Sequence, residues 1–350
     1  MGAVLTSELS KSLAELTTMR VGGKPKKIFS ATTTQELYET AKQLWLSDEP
    51  CFVLGGGSNT VFSDDVENLN VLLVSNRGIE ETRHDDKVLL KVQAGENWDQ
   101  FVAYCVAKGY AGIEAMSGIP GSVGATPVQN VGAYGQEVSE TITRIEFLDK
   151  QTHEVRILSN SELGFSYRDS KLKHGLEGVI GWVEFELQDL GGLSVPMASG
   201  QITNHLDKPY GSQLPLQQVR DTVIELRSSK GMVVSDSDPD SVSCGSFFTN
   251  PVVSQSKSLE FPIEMLKWDM KDGTGNVKLS AGWLIENSGI PKGFKLAGSK
   301  AAVSNKHALA IANRGGATGQ EIIELARYIQ ERVAATWGVN LVPEPNLIGF

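Results

Sequence analysis

The chain has 350 residues, of which 40% are hydrophobic and 21% charged, with a formal net charge of −10 and a pI of about 5.1. That balance belongs to a globular protein with two or three cores, and it disfavours general nucleic-acid binding, which needs a basic footprint that no Lys/Arg block supplies. An anionic substrate must therefore be held by isolated local cations, for which Arg168, Arg227 and Lys230 are the candidates.

At the N-terminus, Met1-Gly2-Ala3-Val4-Leu5-Thr6 lacks a basic stretch followed by a sustained apolar core, and no run of eighteen apolar residues occurs later, so a cytoplasmic protein without a membrane segment is expected. Short β-type runs then recur at 28–30, 52–54, 71–74, 88–92, 142–148, 155–158 and 179–187. Helical periodicity lies between them at 34–46, through Leu37, Ala41 and Leu44, and at 98–108, through Phe101, Ala103, Tyr104 and Val106. Strands and helices alternate without regular βαβ spacing, which predicts an α+β architecture. The expected division is a first domain over 1–214, itself two subdomains parting near residue 70 with a cofactor between them, a smaller α+β domain over 215–338, and a C-terminal strand over 339–350 that returns to the first domain and the active site.

The segment 189–212 is rich in Gly, Pro and Ser and reads as a boundary or lid. A helix is expected at 215–229 with Val219, Val223, Ile224 and Leu226 on its buried side, then a polar, solvated loop at 235–241 without the Gly and Glu of a calcium loop. The last helix carries Ile322, Ala326, Ile329, Val333 and Trp337 on one face and stops at Gly338. Cys51, Cys105 and Cys244 have no C-x-x-C spacing and the five histidines no paired ligand spacing, so neither a disulfide framework nor a metal is indicated, and the cysteines read as small core hydrophobes.

Two glycine segments dominate the chemistry. The run from Ile119 to Gly135 holds four glycines, two prolines and small or neutral polar residues, with Gln129-Asn130 amides and apolar Ile119 and Val131 to pin it to a core. Glycine permits close backbone approach and proline stiffens the loop, which suits a cofactor grip better than a linker or a plain surface loop. Upstream, an apolar run empties into Gly55-Gly56-Gly57-Ser58-Asn59, whose N–H groups can form a nest for a phosphate; the competing reading is a hairpin turn. Thr60 stands where G-x-G-x-x-G needs its third glycine, and no P-loop motif occurs.

Three further constellations carry reactive groups. Tyr167-Arg168-Asp169-Ser170 places a planar cation suited to a carboxylate at a turn, with a surface ion pair to Asp169 or Asp149 as the competing reading. Ser246, between Gly245 and Phe247-Phe248, sits in neither a G-x-S-x-G motif nor beside a partnered His, so it reads as a proton donor or as a turn hydroxyl bonding its own backbone. Glu344 stands between Pro343 and Pro345 on a stiffened backbone, against the alternative of a solvated tail carboxylate.

Taken in order, Gly55–Asn59, Ile119–Gly135, Tyr167–Ser170, Gly245–Pro251, Ser280–Ile285 and Pro343–Pro345 resemble the UDP-N-acetylenolpyruvoylglucosamine reductase (MurB) family, flavoenzymes of peptidoglycan synthesis, in the subtype with a longer substrate-capping segment. The resemblance implies a first domain of the vanillyl-alcohol-oxidase type that binds FAD non-covalently through Gly55, Gly56, Gly57, Ser58, Asn59, Ser117, Gly118, Ile119, Gly121, Ser122, Gly124 and Ala125. It implies a catalytic trio of Arg168, Ser246 and Glu344, and substrate contacts from Tyr134, Tyr167, Lys230 and Asn250. The chain departs from the subtype at Ser199-Gly200, where a Tyr before the Gly is expected, so that the aromatic lid contact is either absent or supplied by Tyr210, and at Thr126, which replaces a small residue before Pro127.

Such an enzyme uses NADPH to reduce FAD, which then delivers hydride to the enolpyruvyl ether of UDP-N-acetylglucosamine; Arg168 would stabilise the developing enolate, Glu344 would complete the pocket and Ser246 would deliver the proton. A monomer without nucleic-acid or membrane partners is expected. Two other classes stay open from the residues alone: a carbohydrate or alcohol oxidase of the same flavin fold, although no His adjoins Gly55–Asn59 for covalent attachment, and a non-catalytic nucleotide-binding protein that would not need the trio to converge.

Overall fold

The computed structural model describes residues 11–270 and 272–350; the N-terminal stretch Met1 to Thr6 discussed above lies outside them. The elements run β1 (Lys27–Ala31), α1 (Thr34–Leu46), β2 (Cys51–Leu54), β3 (Thr60–Phe62), β4 (Asn70–Val74), β5 (Ile79–His84), β6 (Lys87–Gln93), α2 (Trp98–Lys108) and β7 (Tyr110–Ala111). A small hairpin follows, β8 (Gly132–Ala133) and β9 (Gln136–Glu137), then β10 (Ile142–Asp149), β11 (Val155–Ser159), α3 (Asn160–Leu163), β12 (Gly178–Asp189), α4 (Gly200–His205) and α5 (Leu216–Ser228). The remainder holds β13 (Val252–Ser254), α6 (Gln255–Ser258), β14 (Lys267–Asp269), β15 (Asn276–Leu279), α7 (Ala281–Glu286), β16 (Ala301–Val303), β17 (Ile311–Asn313), α8 (Gly319–Trp337) and β18 (Asn346–Ile348). No helix among the described residues is long and apolar enough to cross a membrane.

The described chain forms two compact units, one of Pro25–Gly57 and Glu67–Ser228, the other of Ser12–Lys24, Ser58–Val66 and Ser229–Phe350. The division differs from a cut at residue 215, because α5 buries Leu216, Val219, Thr222 and Val223 within the first unit. Val219 and Val223 pack with Met197, Ile202 and Leu214, so the helix seals the 195–214 segment; Ile224 and Leu226 are only half-buried.

Within the first unit, β1, β4 and β2 make a parallel sheet. Helix α1 covers it with Leu37, Ala41 and Leu44, its start fixed by a capping box in which Thr33 accepts from the Glu36 N–H. A second sheet runs β11-β10-β12-β6-β5 with β7 paired to β12. The exposed, charged Ile79–His84 strand gives no apolar alternation, and only its pairing with β6 makes it a strand. Helix α2 lies on this sheet through Trp98, Phe101, Val102, Cys105 and Val106, while Ala103 and Tyr104 sit off the buried stripe and Tyr104 sends its hydroxyl to Glu81. Strand β4 is the last of the parallel sheet in chain order, and β5 is the first of the second sheet.

The second unit packs α7 and α8 over a core that includes Leu284, Ile285, Ile322, Ile329 and Val333. Gly338 ends α8 at φ 62°, the left-handed conformation that glycine adopts without a Cβ penalty. The C-terminal strand is shorter than its apolar pattern: β18 alone pairs, parallel to β3, and β3 clusters with the second unit rather than the first. The 235–241 segment is not merely solvated. Asp240 is buried, accepting from the Asn305 N–H at 2.8 Å and from Arg314 at 2.8 Å, while Asp238 pairs with Lys306 at 2.9 Å.

Candidate active site

In the first unit the two glycine segments touch. A Cβ on Gly56 would lie 2.6 Å from the main-chain Cα of Gly121, so glycine there is a packing requirement, while one on Gly55 would meet the Ser122 side-chain Oγ. The segment behind is wedged as tightly, because a Cβ on Gly124 would lie 2.5 Å from Ala94 Cβ. Among the described residues the N–H groups of Gly56 and Gly57 pair with no main-chain carbonyl, and Gly57 has φ 62°. Bare N–H groups in such a turn fit a phosphate or pyrophosphate. Ser117 closes on Glu114 O with its hydroxyl at 2.7 Å, and Thr126, the departure before Pro127, satisfies its hydroxyl on Val123 O at 2.8 Å, so it leaves this cradle intact.

Downstream, Tyr134 and Gly135 are the two central residues of the β8–β9 hairpin, with φ 50° and 85°. Two consecutive positive φ values define the tight turn that matches strand twist, but Tyr in the first place is strained. Asn130 (φ 47°) and Arg168 (φ 54°) share that unusual conformation, and such strain concentrates where a site dictates geometry. The Arg168 guanidinium donates to Gly132 O at 2.6 Å and Asn130 O at 3.4 Å, approaches Glu137 Oε1 at 3.6 Å and lies over the Tyr167 ring at 5.3 Å. Neither Asp169 nor Asp149 is its ion-pair partner: Asp169 meets His174 and Asp149 meets Arg156. Asn130 in turn donates to Glu137 Oε2 at 2.8 Å and Ser166 O at 3.0 Å and accepts from the Ser139 N–H at 3.1 Å. Its side chain locks the hairpin to the Arg168 turn, a role hidden in sequence because Glu137 and Ser166 meet it only after folding.

Tyr134 packs on the cluster formed by Met197, Ile202 and Leu214, and burial pushes its phenol above the ordinary range. A Cβ on Gly135 would lie 2.6 Å from Ala198 O, so the 195–214 segment is seated directly on this turn. Ser199 is buried as the residue preceding α4 and Tyr210 is largely exposed.

In the second unit, Ser246 and Glu344 are carried on adjoining extended segments. Phe247 O accepts from the Glu344 N–H at 2.9 Å, Val342 O accepts from the Thr249 N–H at 3.0 Å, and Phe248 bridges Pro343. The next two residues, Phe247 and Phe248, are fully buried and pack edge to face at 5.3 Å, while Ser246 itself is half-buried. Burial pushes the Cys244 thiol up to about 12, and the nearby Glu344 carboxylate opposes its ionisation further; Cys244 is an inert neighbour rather than a nucleophile. Asn250 accepts from the Ala281 N–H at 3.0 Å at the start of α7, and Lys230 lies half-buried in the turn after α5. Asn59 directs its amide to Glu344 O at 3.2 Å, and Ser58 O lies 3.4 Å from the Thr18 hydroxyl, which also donates to Ser243 O at 2.7 Å. Thr18 carried no signal in the sequence; only folding sets it between the Ser58 and Ser243 carbonyls.

Residues 25–158 match the FAD binding domain family, and residues 238–348 match the C-terminal domain of UDP-N-acetylenolpyruvoylglucosamine reductase. The chain is 45% identical to the UDP-N-acetylenolpyruvoylglucosamine reductase of Leifsonia xyli, with 97% of this chain and 98% of that protein aligned. The chain belongs to the UDP-N-acetylenolpyruvoylglucosamine reductase family. A second member, from Thermobifida fusca, is 43% identical over 96% of each chain. The crystal structure of the family member from Thermus caldophilus superposes with a TM-score of 0.65 over 98% of this chain and all of that one, and at 23% identity it speaks for the fold alone. In this family setting the Gly55–Gly57 and Gly121–Ala125 cradle lies inside the segment matched as FAD-binding, and Ser246 and Glu344 lie inside the one matched as the reductase C-terminal domain.

Proposed function

We propose that this chain reduces the enolpyruvyl group of UDP-N-acetylglucosamine enolpyruvate to give UDP-N-acetylmuramate, drawing electrons from NADPH through FAD, as a monomer in the cytoplasm. The observation that carries the reading is full-length kinship with reductases of that name, in both the FAD-binding and the C-terminal segments. The contact between the Gly55–Gly57 and Gly121–Gly124 turns supports FAD at that cradle, since side chains there would close the backbone approach that a pyrophosphate needs.

FAD, when bound, supplies the hydride that reduces the substrate alkene. Arg168, held by the Asn130 and Gly132 carbonyls, is aimed without a flexible search and takes the substrate carboxylate, stabilising charge that grows on it as the alkene is reduced. Ser246 gives its proton to the carbon next to that carboxylate. A hydroxyl is a weak acid in water, but with bound substrate covering it the proton is passed where solvent competes little, and general acid catalysis is worth roughly 10²–10⁴-fold. Glu344 is fixed through its main chain beside the Ser246 segment and orients the developing enol. Lys230 and Asn250 bind the nucleotide portion, with Tyr134 and Tyr167 as aromatic contacts.

The test is direct. Purified protein is expected to be yellow, to release FAD on acid treatment, to bleach with NADPH, and to recover its colour with the enolpyruvyl substrate faster than with oxygen. Reoxidation by oxygen alone would point to an oxidase, and a colourless protein that cannot be reconstituted would remove the flavin reading.

A further inference from the structure

The turn that opens α2 grips the Met116–Ser122 stretch at successive points. The Trp98 main-chain N–H donates to Gly121 O at 3.1 Å, its indole N–H donates to Met116 O at 3.1 Å, and Asn97 bridges Ser122. Between those anchors Asp99 Oδ1 accepts from the Gly118 N–H at 2.6 Å. Asp99 is itself held by a two-bond fork from Arg220 on α5, at 2.7 and 2.9 Å. The Arg220 side chain is 16% exposed and that of Asp99 32%, so the pair is partly withdrawn from water.

Gly118 (φ 72°) and Gly121 (φ 126°) both lie in the left-handed region, and a loop with two such residues has many conformations to lose on binding a ligand. A peptide plane is rigid and trans, so holding the Gly118 N–H on Asp99 also fixes the Ser117 carbonyl, which points the opposite way. Burial raises the Asp99 pKa, but the Arg220 fork and the Gly118 N–H outweigh it and hold the carboxyl below its ordinary range. A carboxylate is a stronger acceptor than a neutral oxygen, and Arg matches it in a planar geometry that Lys cannot copy.

We infer that Asp99 is a positioning residue that presets the Gly118 peptide for FAD, and that Arg220 acts on the cofactor segment only through Asp99. The inference rests on the FAD reading above and adds α5 to the scaffold of the cofactor segment.

FAD titration of apoprotein, followed by quenching of flavin fluorescence, tests it with Asp99→Ala, Asp99→Asn, Arg220→Ala, Arg220→Lys and the double Asp99→Ala/Arg220→Ala variant, each apoprotein also being melted. Asp99→Ala is expected to raise the FAD Kd roughly tenfold or more, Arg220→Ala by less, and Asp99→Asn and Arg220→Lys should each recover part of the loss. The decisive expectation is that the double variant binds FAD like Asp99→Ala alone. A Kd within about twofold of wild type in Asp99→Ala, losses that simply multiply in the double variant, or weakening that tracks apoprotein melting without rescue by the conservative changes would each overturn the inference while wild-type binding keeps the flavin reading. Wild-type apoprotein that takes up no FAD would overturn both. Should Asp99→Ala fail to fold, the Arg220 pair decides, because Arg220→Lys must bind FAD more tightly than Arg220→Ala.

Discussion

Asn59 donates its side-chain amide to the carbonyl oxygen of Glu344 at 3.2 Å, across 285 positions of sequence, and two residues later the Asn346 N–H donates to Asn59 O at 3.0 Å. Asn59 therefore holds the backbone on the C-terminal side of the proposed catalytic carboxylate, while Phe247 O holds its N–H. A neutral hydrogen bond of this kind is worth about 0.5–1.5 kcal/mol, so Asn59→Ala is expected to slow substrate reduction roughly two- to tenfold. Stopped-flow measurement of the two half-reactions checks it; a defect confined to FAD binding would remove the link to Glu344.

Ser246→Ala is expected to leave flavin bleaching by NADPH at the wild-type rate and to slow reoxidation by the enolpyruvyl substrate by roughly 10²–10⁴-fold, the range for a lost general acid. Equal losses in both halves would make Ser246 structural.

Lys230→Ala should raise the substrate KM with little change in kcat, because a contact to the nucleotide phosphates binds ground and transition states alike. Steady-state kinetics with the enolpyruvyl substrate decide it, and an unchanged KM takes Lys230 out of the site.

Gly56→Ala places a Cβ 2.6 Å from Gly121 Cα, where the obstruction is main chain and cannot swing aside. Overpacking of this kind costs about 1–3 kcal/mol, and a protein with reduced FAD content and a lower Tm is expected. Retention of full flavin occupancy would show that the two turns separate freely.

The acid limb of stability carries a contribution from Asp240. Burial raises its pKa, but the Asn305 N–H, the Ser304 hydroxyl and Arg314 lower it by more, so its native value lies below the ordinary carboxylate value. A depressed native pKa means that its stabilisation is complete above the unfolded pKa of about 4 and is lost as pH falls through the lower native value. Asp240→Asn is expected to cost ~2–4 kcal/mol at neutral pH, since it leaves Arg314 facing a neutral amide. Urea unfolding from pH 3 to 7 should then show a shallower pH slope in the variant, and parallel curves would exclude the carboxylate.

Much of the scaffold is local physics and was therefore legible in the sequence. Helix α1 has its capping box and its Leu37-Ala41-Leu44 stripe, and α8 its apolar face and glycine stop, within a few turns of chain. The sequence also offered Arg168, Ser246 and Glu344 as candidates through their motifs and the order in which those motifs occur. Which neighbours hold them was not legible: Glu137 rather than Asp169 faces Arg168, Asn59 serves Glu344, and Asp240 is buried instead of solvated. Strand Ile79–His84 likewise has no hydrophobic alternation and exists because β6 offers it an edge.

Residue type and short-range periodicity settled which segments become helices and strands and which side chains bring acid, cation or hydroxyl, because those properties depend on a few consecutive residues. Only the tertiary structure decided which carbonyl aims the guanidinium, which amide steadies the carboxylate and where the units divide, because those choices are made by contacts between groups tens to hundreds of positions apart whose pairing no local pattern encodes.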